Sequence, residues 1–110
     1  MKIIEREISS KRILDTLIAQ ATIPMIISIS RKHSFGAHWL KRMLEQIQLQ
    51  YEDQIEIHAF YLEDPAKIMA ILGEGKSMLA YFVKEKEIKS HITGSVSRAT
   101  FNAKLEMIIA

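Results

Sequence analysis

The sequence predicts one α/β domain in which helices cover both faces of a small mixed β-sheet, a three-layer α/β/α sandwich. The first observation is composition: residues 1–110 are 48% hydrophobic and 25% charged, which is typical of one globular domain. The second is the order of apolar patterns along the chain, β-α-β-α-β-α-β-β-α. The third is the connections, because helical crossovers favour parallel strands, whereas a short polar turn between the last two strands predicts an antiparallel hairpin.

The first predicted elements are a short strand and a helix. Lys2 to Ile8 can form the strand, and Ser9 and Ser10 are candidate N-caps for the helix that follows. The helix should end by Thr22, because Pro24 disfavours the α conformation for the residue before it. The residues predicted for its buried face are Ile13, Leu14, Leu17 and Ile18.

A buried strand and a long helix come next. Met25 to Ile29 is an almost continuous apolar run, which is typical of a strand buried on both faces, so we predict it at the centre of the sheet. After a polar and basic turn, a helix is predicted from Phe35 to Gln50. Its predicted buried face comprises Leu40, Met43, Leu44, Ile47 and Tyr51.

The third strand and the third helix follow. The strand is predicted from Ile55 to Leu62. The helix is predicted to have Asp64 as its N-cap and Pro65 at its first position, and to end at Gly73. The segment Ala70 to Ser77 ends in Gly-Lys-Ser, as phosphate-binding P-loops do. A P-loop, however, follows a strand and opens a helix. Here the predicted order is the reverse, so we predict a helix end followed by a loop.

The chain ends in a predicted hairpin and a closing helix. Ser77 to Val83 and Ile88 to Thr93 are its strands, and Ser97 can cap the helix. The buried face of that helix is predicted to be Phe101, Leu105, Ile108 and Ile109. Charged residues around the last strand suit a sheet edge, where they oppose pairing with another chain. They are Lys84, Lys86, Glu87 and Lys89. We therefore expect a monomer or a weak homodimer.

Charge and hydropathy argue against nucleic-acid and membrane partners. The net charge is +2, and basic side chains are spread evenly along the chain rather than gathered in a stripe, so no nucleic-acid partner is predicted. No apolar run approaches the ~18 residues that a membrane span needs, and the N-terminal segment is too charged for a secretory signal. We expect a soluble, cytoplasmic protein.

The complete lack of cysteine excludes several kinds of chemistry. Disulfide exchange, thiolate nucleophiles, zinc–thiolate sites and iron–sulfur clusters all require that residue. Among the histidines, His33 and His38 are five positions apart, whereas two ligands on one helical face need a spacing of three or four. We predict no metal and no cofactor.

The methionines and the tryptophan can lie either in the core or on the surface. Methionine suits irregular gaps in a core, and four of the six are predicted there. They are Met25, Met43, Met69 and Met78. Trp39 lies one helical turn from Phe35 and suits either the core or an exposed interaction surface.

The order of elements resembles the thioredoxin fold, and the resemblance covers nearly the whole chain. Ile23 to Ile29 is similar to the central strand of that family, and Leu40 to Tyr51 is similar to the remainder of its long second helix. Met78 to Phe82 resembles its fourth strand, and Gly94 stands where the family has a glycine before its last helix. The resemblance implies a thioredoxin-like domain spanning residues 1–110.

The redox residues of the family are absent from the corresponding positions. Active thioredoxins carry Trp-Cys-Gly-Pro-Cys at the start of the second helix, where this chain has His-Ser-Phe-Gly-Ala over 33–37. By the same resemblance, the family's buried acid falls at Ser28, and the proline with the cis bond falls at Ser77. The resemblance therefore implies a member without the CxxC motif and without dithiol-disulfide oxidoreductase activity.

The start of the long helix carries the most specific surface chemistry. Basic residues gather there, and with the helix dipole they could hold a carboxylate, a phosphate or an acidic protein segment. They are Arg31, Lys32, His33, His38, Lys41 and Arg42. A solvated basic turn is the structural alternative. The candidate partner- or anion-binding residues are Arg31, Lys32, His33, Ser34, Phe35, Gly36, Ala37, His38, Trp39, Lys76 and Ser77.

We interpret the chain as a non-catalytic protein-binding adaptor, chaperone or assembly factor that uses this edge. Cysteine-free proteins of this fold serve such roles, which the resemblance implies here. The alternative is a glutathione- or small-anion-binding protein, or a transferase-like enzyme, at the same edge. Ser34 suits a helix cap, or a hydroxyl that stabilises a bound thiolate as in some glutathione-binding relatives of the fold. Binding separates the two interpretations: saturable binding of a small anion would favour the alternative, and a stable protein complex would favour the adaptor. A purely structural subunit is the third interpretation.

Overall fold

The computed structural model describes residues 4–7, 10, 12–73, 75–94 and 96–109. The strands are β1 (Ile4–Glu7), β2 (Met25–Arg31), β3 (Glu56–Leu62), β4 (Met78–Lys84) and β5 (Glu87–Thr93). The helices are α1 (Arg12–Gln20), α2 (Phe35–Tyr51), α3 (Pro65–Ile71) and α4 (Arg98–Ile109), with a 3₁₀ turn at Glu52–Gln54. The predicted order is confirmed. The N-cap predicted at Ser9 and the strand ends predicted at Lys2 and Ile8 lie outside the described residues.

The five strands form one mixed sheet in the order β1-β3-β2-β4-β5. β3 pairs with β1 and with β2 in parallel, whereas β4 is antiparallel to both β2 and β5. β2 is the central strand, as predicted, and its first six residues are all buried. β5 lies at an edge of the sheet, as its charged sequence predicts.

Two hydrophobic clusters occupy the two faces of the sheet. Successive strand residues point to opposite faces, so Ile26 joins one cluster and Ile27 joins the other. The first cluster packs under α2 and α4 and includes Leu40, Leu44, Phe82, Phe101 and Leu105. The second packs under α1 and α3 and includes Leu14, Met25, Ile29, Phe60 and Leu62. The sheet between two helical layers confirms the α/β/α arrangement.

The residues predicted to cap α3 and α4, and the glycine predicted to end α3, are confirmed. The Asp64 carboxylate accepts a hydrogen bond from the Ala66 N–H at 2.9 Å, and the Ser97 hydroxyl accepts one from the Thr100 N–H at 3.1 Å. At the end of α3, Gly73 has a φ of +91°, a left-handed conformation that suits glycine. A helix therefore precedes the Gly-Lys-Ser segment and β4 follows it, which confirms the predicted order.

The prediction that Met69 fills the core is wrong. Its side chain is 56% exposed, whereas Met25, Met43 and Met78 are buried as predicted. α3 has only seven residues, and it packs on the sheet through Ile68 and Ile71. Because neighbouring helical residues point about 100° apart, Met69 faces away from the sheet.

The β4–β5 turn has an unfavourable sequence for its backbone. Glu85 and Lys86 have φ values of 55° and 63°, as in hairpin turns that favour Asn-Gly. The Lys86 ammonium donates a hydrogen bond to the Ala21 carbonyl at 2.9 Å. That bond ties the turn to the segment after α1 and explains why a lysine is tolerated there.

Replacing Glu85 with asparagine tests this strain. We expect Glu85→Asn to raise the free energy of unfolding by ~0.5 kcal/mol, because asparagine adopts left-handed φ more readily and the Lys86 bond is kept. Urea denaturation measures the change. The control is Glu106→Asn on the exposed side of α4, where asparagine should lower helix stability slightly. A destabilising effect of Glu85→Asn would contradict the prediction.

Candidate functional site

The turn between β2 and α2 is held by backbone hydrogen bonds from both sides. The Arg31 N–H donates to the Ser77 carbonyl at 2.9 Å, and the Lys32 N–H donates to the Leu62 carbonyl at 3.1 Å. His33 has a φ of 64°, which turns the chain toward the helix. The start of α2 is therefore positioned by the last residue of β3 and by the residue that precedes β4.

Ser34 is the N-cap of α2. Its Oγ accepts a hydrogen bond from the Ala37 N–H at 3.0 Å, and its hydroxyl donates to the Arg31 carbonyl at 2.8 Å. The hydroxyl therefore closes both the helix end and the preceding turn. This confirms the capping interpretation of Ser34. The hydroxyl proton of Ser34 is bonded to the Arg31 carbonyl.

Gly36 allows the loop before β4 to touch the first turn of α2. A Cβ atom at this position would lie 2.8 Å from the Ser77 Oγ and 3.2 Å from the Met78 Cγ. Only glycine permits this approach without displacing a side chain. The structure therefore brings Ser77, one of the candidate residues, against the first turn of α2, whereas Lys76 is exposed.

The two aromatic side chains at this end of α2 have different environments. Phe35 is 95% exposed at the first residue of the helix. Trp39 is half-buried and packs edge-on against Phe101, with ring centroids 5.8 Å apart and an interplanar angle of 81°. Phe101 in turn contacts Phe82 in the core. Trp39 is therefore neither wholly core nor wholly surface, which combines the two placements that its sequence left open.

The basic residues of the cluster are all exposed, but their charges are not equivalent. The Lys32 ammonium lies 2.8 Å from the Glu63 carboxylate. The hydrogen bond from Lys32, and then its charge, lowers the pKa of Glu63 below 4.5. Glu63 is not among the residues predicted for this edge. Its signal was available, because Glu63 follows a strand parallel to β2 and the carboxyl ends of parallel neighbours meet at one edge.

Two open grooves flank the first turns of α2. The α2–β3 groove has a volume of about 200 Å³ and the α2–α4 groove one of about 720 Å³. The α2–β3 groove is lined by Lys32, His33, Ala37, His38, Lys41 and Tyr61. The α2–α4 groove is lined by Phe35, His38, Trp39, Arg42, Met43, Gln46 and Arg98. Aspartate and glutamate are absent from both linings as described.

Arg98 and Gln46 belong to this surface but were not predicted. Arg98 is the first residue of α4, and its guanidinium donates a hydrogen bond to the Gln46 side-chain carbonyl on α2. The two residues are 52 positions apart in the chain. No local pattern joins them, so only the packing of α4 beside α2 brings the guanidinium to the groove.

Two buried serines lie beneath α2. Ser28 is 2% exposed, as is Ser30. Both line a cavity of about 10 Å³ together with Ala37, Lys41 and Tyr61. That volume is close to the minimum for one water molecule, so the space is too small for an organic ligand.

Neither a metal centre nor a membrane span is found in the described part of the chain. No group of three or more His, Cys, Asp or Glu side chains there could hold a metal ion. None of the described helices has the length and apolar character needed to cross a membrane.

Comparison with known proteins identifies the fold. No protein-family model and no curated protein matches the sequence. Among solved structures, oxidized thioredoxin O2 from Arabidopsis thaliana matches with a TM-score of 0.72 at 11% identity, over 100% of this chain and 98% of that one. The chain has the thioredoxin fold, as the resemblance implied. Since it contains no cysteine, it lacks the CxxC motif.

The contact between Gly36 and Ser77 gives a double-mutant prediction. We expect Gly36→Ala to lower the free energy of unfolding by ~1 kcal/mol, because the added methyl group meets the Ser77 hydroxyl and Met78. In a Ser77→Ala background the loss should shrink by at least ~0.5 kcal/mol, which is the coupling expected of residues in contact. Urea unfolding of the wild type, the two single variants and the double variant measures this coupling. Additive effects would show that the two side chains do not touch.

The Lys32–Glu63 ion pair predicts a pH effect. The pKa of Glu63 is lower in the folded state than in the unfolded state, so the ion pair stabilises the fold at pH values above the unfolded-state pKa. This stabilisation is lost as the pH falls through the folded-state pKa of Glu63. In Lys32→Met the pKa of Glu63 should rise toward 4.5, as followed by NMR of the side-chain carboxyl. Glu87 is the internal control, since Lys89 lowers its pKa and should still do so. An unchanged Glu63 titration would disprove the pairing.

Proposed function

We propose that this protein is a non-catalytic binding module, acting as an adaptor, chaperone or assembly factor through the edge formed by residues 31–37, Trp39 and the loop of Lys76 and Ser77. The observation that carries the proposal is Phe35, an aromatic side chain that is 95% exposed at the start of α2. Phe35 lines the same groove as the half-buried Trp39 and the exposed Arg42 and Arg98. Aromatic and arginine side chains in such surroundings are typical of protein-binding hot spots.

The backbone around Phe35 supports a binding role. Ser34 caps α2, and the turn that precedes it is bonded to Leu62 and Ser77. A side chain presented from so constrained a segment loses little backbone entropy when it binds a partner. The absence of cysteine removes dithiol chemistry from the chain's own side chains. The Ser34 hydroxyl is already bonded to Arg31, which argues against its use as a nucleophile.

The experiment compares two exposed apolar residues of the same helix. Phe35→Ser and Leu49→Ser each remove an exposed apolar side chain from α2, since Leu49 is 79% exposed near the opposite end. Tagged wild-type and variant chains are used for affinity purification from the source cells, followed by mass spectrometry. We expect the wild type and Leu49→Ser to capture the same partner in similar amounts. We expect Phe35→Ser to capture at least about tenfold less of that partner. Equal capture by all three would overturn the proposed surface.

A second candidate function uses the α2–β3 groove. Its ionisable lining consists of lysines, histidines and a tyrosine, which favours a small anion such as glutathione. Titration with glutathione, monitored by NMR shifts of His33 and His38, tests it. Saturable shifts that are lost in Lys41→Glu would favour this function over the protein-binding one. No shift would exclude glutathione as a ligand of the groove.

A further inference from the structure

The α2–α4 groove combines an apolar floor with a basic rim. Its floor is the half-buried Trp39 and the buried Met43, and its rim is the exposed Arg42 of α2 and Arg98 of α4. The exposed Phe35 also lines the groove. Its volume of about 720 Å³ is within the range of binding sites for small molecules and large enough for several side chains. The groove therefore offers apolar contact and positive charge to the same ligand.

The positive charge of this rim is not neutralised by carboxylates in the described residues. Arg98 is hydrogen-bonded to the neutral amide of Gln46 rather than to an acid. Elsewhere, Lys32 pairs with Glu63 and Lys89 pairs with Glu87, so other cations of the chain do have carboxylate partners. Guanidinium groups bind carboxylates through two parallel hydrogen bonds, which makes a carboxylate-bearing ligand complementary to this rim.

We propose that the α2–α4 groove binds an acidic segment of a partner protein, with an apolar side chain of that segment against Phe35 and Trp39 and its carboxylates at Arg42 and Arg98. The inference rests on the proposed binding function and names the chemistry of the partner. The groove favours a peptide over a nucleic acid, because two arginines and one histidine are too few to follow a phosphate backbone. Its floor also includes Met43, an aliphatic contact suited to apolar side chains.

The sequence supplies a reporter for this groove, because Trp39 is the only tryptophan of the chain. The probe is a short synthetic peptide without tryptophan that carries glutamates on both sides of a Leu-Phe pair. It is titrated into the protein at low salt while tryptophan emission is recorded. We expect a saturable blue shift, because the peptide removes water from the half-buried indole ring. Added salt should weaken the binding, since the charges involved are exposed.

Two variants form a matched pair for the charge effect. Arg98 and Arg12 are each the exposed first residue of a helix, on α4 and α1 respectively. Arg98→Glu and Arg12→Glu change the net charge equally, and an acidic residue in the first turn favours either helix, so both variants should fold. We expect Arg98→Glu to weaken peptide binding at least about tenfold and Arg12→Glu to leave it within about twofold. Phe35→Ala should weaken it as well.

Each other outcome overturns the proposal. No blue shift, an equal shift with glutamines in place of the glutamates, or equal loss in Arg98→Glu and Arg12→Glu would show that the groove does not select an acidic segment. A stronger response to a single-stranded RNA oligonucleotide would assign the groove to nucleic acid. A shift that grows with protein concentration before peptide is added would assign it to a second copy of the chain. Partner capture that depends on Phe35 while the peptide fails would leave the binding function standing and remove only this inference.

Discussion

The double pairing of β2 is the constraint on which the rest of the structure depends. This strand is hydrogen-bonded to β3 on one side and β4 on the other, and both of its faces are buried. Each fully buried isoleucine of the strand contributes about 1.5–3 kcal/mol through the hydrophobic effect. The pairing continues into the turn, where Arg31 and Lys32 donate to backbone carbonyls on the two neighbouring segments. The position of α2, and of every group at its first turn, follows from the sheet.

The start of α2 is held by structural contacts. Ser34 closes the helix end and the turn with one hydroxyl, and Gly36 leaves room for Ser77 to pack against the first turn. These contacts make the segment rigid while the Phe35 ring remains exposed. A rigid backbone that presents an aromatic side chain suits recognition of a partner, because little entropy remains to be lost on binding.

The exposed cations at this end of the molecule fall into two groups with different surroundings. The Lys32 ammonium is paired with the Glu63 carboxylate, so its charge stabilises the turn and is less available to a ligand. Arg42 and Arg98 instead line a groove whose other residues are apolar or neutral, apart from His38. The difference follows from topology. Parallel pairing of β2 with β3 brings Glu63 to Lys32, whereas α4 brings Arg98 to a groove whose described lining contains no acid.

The sequence by itself determined the order of the elements, the central place of β2, the caps at Asp64 and Ser97, and the loss of dithiol chemistry. These features depend on apolar periodicity, on residues a few positions apart, or on composition, all of which are legible in the chain. Most candidate site residues could be proposed from the sequence because residues 31–39 are contiguous, and their role in binding stays a prediction. The tertiary structure alone decided the half-burial of Trp39 against Phe101, the exposure of Met69, the pairing of Lys32 with Glu63 and the arrival of Arg98 beside Gln46. Each of these joins elements distant in sequence or depends on how a short helix lies on the sheet, and local patterns do not report such packing. For Lys32 and Glu63, the predicted parallel strands indicated only a shared edge of the sheet, and the ion pair itself required the tertiary structure.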